Sequence, residues 1–416
     1  MRKYAFTLLL AALTLSACHD EEPLFPDNPE QNIDPDEAWT RFEAIGLTAT
    51  QQQMSRQLES FSWDLFSQTY QLKRSEENIL ISPFSLNVDL GMLLNGLDEA
   101  SADKLRETMK LQDYPLSDIN EYFRVMVEGL SQDDNHAVFK SANSFWYNKD
   151  YKAVKSFTKT IGDIYKAETK SVDFGKKSTV DAINAWCSEK TNKRIPKLLD
   201  NTSNQDLFHL INALYFYGKW EAQFDKGLTK KEKFRYADGS KKDVSMMYKH
   251  AEMGVTETEA LEYITLPFNS FSFSMSFYLP KDGYSITEAI ESLKHDQKRG
   301  ELYDLQLWLP KFESEYTINT LPAALNAINP SLDFSSLGVN MLEKLPSQKG
   351  GDILQKAYIK VDEEGVEAAA VTDIMWAGAD IHEPPQPREL KFDRPFIYSI
   401  NERSTGTPVF IGYYGK

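Results

Sequence analysis

The residues with intrinsic chemistry are sparse and badly spaced for catalysis. Six histidines are the natural places to look for acid–base or metal chemistry. His19, His136, His209, His250, His295 and His382 lie far apart, with no H-E-x-x-H or similar ligand interval. No G-x-S-x-G, no P-loop and no G-x-G-x-x-G occurs. There are two cysteines, Cys18 and Cys187. Cys187 continues the helical apolar spacing Val180, Ile183, Trp186, which predicts a buried thiol rather than a nucleophile. Carboxylates number 62 against 46 Lys and Arg, so a lone Asp or Glu says little. No cofactor or metal is expected, and no enzymatic activity.

The chemistry that stands out is that of a backbone segment, residues 361–379, VDEEGVEAAAVTDIMWAGA. A charged turn, Glu363 and Glu364, precedes Gly365, and a run of small residues follows. The next stretch has a period of two. Val366, Ala368, Ala370, Thr372, Ile374 and Trp376 carry no charge, whereas Glu367 and Asp373 fall on the other parity. That pattern fits a strand with one buried face. Pro384, Pro385 and Pro387 then close the segment, and proline cannot continue a central sheet because it lacks a ladder donor. The residues describe a strand-competent segment tied to a loop that cannot follow it.

Four further stretches accompany it in order: 78–86 (NILISPFSL), 142–147 (ANSFWY), 212–220 (NALYFYGKW), and 393–396 (DRPF) through 406–412 (GTPVFIG). Together with strand 356–361 and the segment after it, they resemble the serpin family over residues 53–416. The resemblance implies an α+β domain of three mostly antiparallel sheets and about eight or nine helices, with an exposed reactive loop at about 363–391. The residues agree on the elements. Residues 51–70, 158–167 and 179–191 read as helices. Residues 270–279 alternate Ser with Phe or Met and predict a strand with one wet face. Residues 302–312 and 395–400 read as further strands.

The resemblance also assigns roles. Glu363, Glu364, Gly365, Val366, Glu367, Ala368, Ala369 and Ala370 would be the hinge on which a cleaved loop inserts into the main sheet. Gly365 suits a pivot, having no Cβ to restrict φ. Ser82, Ser85 and Asn212 would form the shutter where that sheet opens. Gln355 stands where the family commonly has His, so the position is not switched by protonation near neutral pH. Glu363 would pair with Lys311 near Trp220 at the breach. Val366 replaces the usual Thr and should still insert, being uncharged and of similar size. Seventeen residues counted from Glu363 place the reactive bond at Ala379–Asp380. Counting back from Phe392 gives a different bond, because the loop is some five residues longer than is usual. Ala377, Gly378 and Ala379 suit an elastase-like pocket. The implied function is suicide inhibition of serine proteases, with papain-like cysteine proteases as a cross-class target. The alternative is a non-inhibitory member that acts as a binding module.

The ends and the overall charge bear on location. Arg2 and Lys3 precede an apolar run at 6–15, then Leu15-Ser16-Ala17-Cys18. This has the layout of a secretory signal over 1–17 and resembles a lipobox with Cys18 as the lipidated residue. Residues 18–52, acidic and proline-containing, predict a flexible tether. The expected location is the cell envelope, at the outer membrane or cell surface with the periplasmic face as the other option. The protein is expected to be monomeric and to touch membrane only through its lipid. A net charge of −16 argues against nucleic-acid partners. Lys230, Lys231, Lys233, Lys241 and Lys242 form the only basic run, expected as a solvated hairpin.

Overall fold

The computed structural model describes residues 44–73, 78–131, 137–269, 272–295, 300–343, 351–366 and 385–416. Residues 41–416 form one compact unit. The signal, Cys18 and the tether as far as residue 43 lie outside the described residues, as do Glu367, Ala368, Ala369, Ala370, Ala379 and Asp380; the last stretch expected as tether is structured, with Ile45 buried and residues 49–52 in the first turn of a helix.

Eight α-helices occur among the described residues: α1 (Ala49–Lys73), α2 (Pro83–Leu94), α3 (Glu99–Thr108), α4 (Leu116–Leu130), α5 (Lys155–Tyr165), α6 (Lys177–Lys190), α7 (Ile286–His295) and α8 (Leu321–Ile328). The strands of the first half are β1 (Ile79–Ile81), β2 (Ala137–Asn148), β3 (Lys152–Ala153), β4 (Glu168–Val172), β5 (Phe208–Lys219) and β6 (Lys230–Arg235). The middle supplies β7 (Lys241–Glu257), β8 (Leu261–Pro267), β9 (Phe273–Pro280), β10 (Glu301–Pro310) and β11 (Phe312–Ile318). The last are β12 (Leu342–Glu343), β13 (Gly351–Val361), β14 (Gly365–Val366), β15 (Gln386–Lys391), β16 (Phe396–Glu402) and β17 (Pro408–Tyr414).

They make three sheets. The largest runs β1-β17-β16-β9-β8-β7-β10-β15, with β6 also on β7; the second runs β11-β13-β14-β5-β2-β4; β12 pairs with β3. Most pairs are antiparallel; β10–β15, β13–β5 and β2–β4 are parallel.

Helix α2 sits at the centre, with every residue buried. Ser82 caps it in extended conformation and Pro83 takes the first helical position, where a missing N–H costs nothing. One helix residue is unusual for such a site. Asp89 is fully buried and neither carboxylate oxygen has a hydrogen-bond partner among the described residues. Burial pushes its carboxyl well above the usual range.

Two expectations need correction. The Ser-rich strand is buried along its whole length as β9, not wet on one face. Helix α1 covers the polar parity, with Trp63 edge-on to Tyr278 at 5.6 Å. The serine hydroxyls are partnered instead of hydrated, Ser276 lying 2.8 Å from Thr265 Oγ1. The strand expected over 302–312 is two strands in different sheets. Chain direction changes sheet at Lys311, whose N–H donates to Ser245 O at 2.8 Å, just after Pro310.

Candidate functional site

The second sheet is built differently at its two ends. In its lower half β13 and β5 pair directly and in parallel, from Gly351–Phe208 to Lys356–Ala213. Above that, β14 lies between them and pairs antiparallel with both. Val366 faces Val361 on one side and Gly218 on the other, and Gly365 faces Lys219. The offset between the two flanking strands is 143 positions in the lower half. Val361 and Gly218, separated by the wedge, are again 143 apart. The sheet is therefore parted without any slip of register. Below Val366 a cavity of about 10 Å3, room for roughly one water, lies between Leu214, Tyr215 and Phe216 of β5 and Tyr358, Ile359 and Lys360 of β13.

Backbone geometry makes glycine necessary at the wedge. Gly365 has φ +153°. A Cβ there would lie 2.1 Å from Gly218 O and 2.7 Å from Lys219 Cα. Both facts exclude a side chain.

The residues before Gly365 are clamped by the segment that leaves β5. Trp220 Nε1 donates to Asp362 O at 3.0 Å, Phe224 N to Glu363 O at 2.9 Å, and Trp220 N to Glu364 O at 2.9 Å. Trp220 is buried and stacks on Phe268 at 4.8 Å with planes 7° apart. Glu363 accepts from Lys311 Nζ at 2.6 Å and from Thr229 Oγ1 at 2.7 Å. Its burial would push the carboxyl up, but these two bonds outweigh that and hold it below the usual value. Glu364 pairs with Lys226. So the fold brings Glu363, Lys311 and Trp220 together. Thr229, Lys226 and Phe268 join them without any sequence signal, because they reach the hinge only through the turn at Lys226–Leu228 and the bridge of Trp220 to Phe268.

Halfway down the same seam, Gln355 and Asn212 are cross-strand partners. Gln355 Oε1 accepts from Ser82 N at 2.8 Å, and its Nε2 donates to Ser82 O at 3.1 Å. The amide thus extends β13 by one backbone-like rung to the start of α2. Asn212 Nδ2 donates to Ser141 Oγ at 3.0 Å and to Asn143 Oδ1. Asn143 in turn donates to Tyr165 O at 2.6 Å. Ser85 is buried close by, yet its hydroxyl has no hydrogen-bond partner among the described residues, and its N–H reaches Ser82 Oγ at 3.4 Å. The polar cluster therefore runs from Ser82 at the cap of α2 to Gln355 of β13 on one side of the seam, and from Asn212 of β5 to Asn143 of β2 on the other.

A family model described as Serpin (serine protease inhibitor) matches residues 56–415. The chain is a serpin. It is 28% identical to a serpin-like protein of Methanosarcina acetivorans over 98% of this chain and 95% of the relative. Human serpin B4 is 28% identical, with 86% of this chain and 97% of that protein covered. Among solved structures, the thermophilic serpin tengpin in its native state superposes with a TM-score of 0.75 at 27% identity, covering 94% of this chain and all of tengpin. Native, stressed AtSerpin1 of Arabidopsis superposes with a TM-score of 0.76 over 89% of this chain and 99% of that one, at 23% identity, a likeness of fold.

Serpins are in general protease inhibitors. Cys187 is buried and its thiol is pushed up to about 12 by burial, which makes it a poor nucleophile. Among the described residues no group of three His, Cys, Asp or Glu is placed to hold a metal. No described helix is long and apolar enough to cross a membrane.

Proposed function

We propose that this serpin inhibits serine proteases by suicide trapping, with an elastase-like enzyme as the favoured target. One observation carries the reading: β14 already stands between β13 and β5, and the shared offset leaves the seam below it in register to receive more strand. After loop cleavage, continued insertion sets Ala368 between Ile359 and Phe216, Ala370 between Ala357 and Leu214, and Thr372 between Gln355 and Asn212. These are small or polar side chains where small or polar ones are required. Glu367 falls on the opposite face beside Lys360. Trp376, the largest inserting residue, comes between Gly351 and Phe208, with room only on the Gly351 side. Insertion replaces parallel pairs by antiparallel ones on both sides, a favourable exchange. It drags the acylated protease along and distorts it before the ester hydrolyses. A papain-like cysteine protease, held as a thioester, is the cross-class target.

Reaction of residues 19–416 with pancreatic elastase, read on denaturing gels with mass spectrometry of the released peptide, tests this. The expected result is a covalent complex of summed mass with a new amino terminus at Asp380. Cleavage without complex would reject trapping of this target and support the binding-module alternative if chymotrypsin-like and papain-like enzymes also fail. We propose further that Cys18 carries a lipid and holds the domain at the outer membrane or cell surface. Cys18→Ala should abolish incorporation of labelled palmitate and release the protein from the membrane fraction.

A further inference from the structure

The hairpin of β6 and β7 bounds a polar cavity of about 430 Å3 together with the chain that leaves β15. Five cations line it: Lys233, Arg235, Lys241, Lys391 and Arg394. Its carboxylates are fewer and already engaged. Glu232 pairs with Lys391, and Asp393 lies 3.9 Å from Arg394. Asp282 is 4.0 Å from Arg394 and almost wholly in water. Lys233 is met by Asp243, from outside the cavity, at 3.0 Å. Arg235 and Lys241 remain. They are direct cross-strand partners, and neither has a carboxylate within salt-bridge distance among the described residues. Like charges directly opposite on a hairpin destabilise it. Nearby Lys242 adds to the repulsion; it lies over the Tyr236 ring at 5.2 Å.

This concentration of positive charge sits on a chain of net charge −16, a basic patch on an acidic protein. We infer that the cavity is a binding site for a small ligand carrying phosphate or sulfate groups, held chiefly by Arg235 and Lys241 on the hairpin, with Lys391 and Arg394, already bonded to Glu232 and to Pro280 O, on the opposite wall. An oxyanion there relieves the Arg235–Lys241 repulsion and offers the guanidiniums the bidentate acceptor they favour. The site is independent of protease inhibition.

Calorimetric titration at low ionic strength with pyrophosphate and, separately, with a sulfated disaccharide tests the inference. Saturable one-to-one binding of either probe is expected, and the tighter probe identifies the source of the anion. Arg235→Ala with Lys241→Ala should weaken binding by at least about tenfold. Lys230→Ala, a cation of the same strand outside the cavity, should leave it within about twofold. Without ligand, the double variant should melt no lower than the parent, since it loses a repulsion. Absence of binding of both probes at about 10 mM, or equal binding by the double variant, would overturn the site.

Discussion

Gly365 is the residue on which the parted sheet depends. Its φ of +153° and the 2.1 Å approach of Gly218 O to a built Cβ mean that Gly365→Ala cannot keep β14 between its neighbours. A cost of about 1–3 kcal/mol is expected, visible as a lower melting temperature. Asp89 poses a different problem at the same scale. Below pH about 4 both folded and unfolded carboxyls are protonated, and the residue adds no pH dependence. Above it the unfolded carboxyl ionises while the buried one, its pKa raised by burial alone, stays protonated. The native state then loses stability as pH rises, by up to about 1.4 kcal/mol per pH unit until the native carboxyl ionises. Asp89→Asn should remove that slope. Melting temperatures of both proteins from pH 4.5 to 7.5 check it; parallel curves would show that Asp89 is ionised in the fold.

At the scale of elements, the seam between β13 and β5 is held by side-chain amides. Gln355 both accepts from and donates to the Ser82 backbone, and no proton gain near neutral pH alters it. Wild-type conversion by heat to a loop-inserted form should therefore show no pH-sensitive step at this position. Gln355→His should introduce one. A neutral imidazole can accept from Ser82 N, whereas the protonated ring has lost its acceptor. Conversion of the variant relative to wild type should quicken as pH falls through about 6.5, and a pH-independent ratio of rates would place the opening step elsewhere. The same scale explains why Leu302 and Phe312 looked like one strand in sequence. Both stretches alternate, but the apolar parity shifts from Leu305, Leu307 and Leu309 to Phe312, Tyr316 and Ile318, and the handover at Lys311 to Ser245 and Glu363 lies at that shift.

For the whole molecule, the common offset of β13 and β5 means that the native sheet and the loop-inserted sheet differ by separation, not by register. If the native sheet is kinetically held, loop cleavage should release that strain and raise the melting temperature by roughly 20 °C or more. Scanning calorimetry before and after nicking within the loop measures the shift. An unchanged transition with a confirmed cut would mean that this serpin does not insert its loop.

Much of this was legible from sequence alone because it rests on local chain physics. The alternation of 366–376, the glycine before it and the prolines after it follow from side-chain periodicity and backbone freedom. The helical spacing around Cys187 follows from the same rules. Collinear motifs supplied Lys311, Trp220 and Gln355 as partners. What only the tertiary structure decided is which distant groups close on these segments. Thr229 reached Glu363, Lys226 reached Glu364, and Asn143 took the place beside Asn212 that Ser85 was expected to share. Those choices depend on where long strands cross, and spacing along one chain does not encode it. Burial of the serines of β9 was hidden for the same reason, since alternation reveals two faces but not whether a helix covers the second. The charge of the β6–β7 hairpin was visible as a basic run. Its pairing of Arg235 with Lys241 beside Lys391 and Arg394 exists only once the fold brings residues more than 150 positions apart into one cavity.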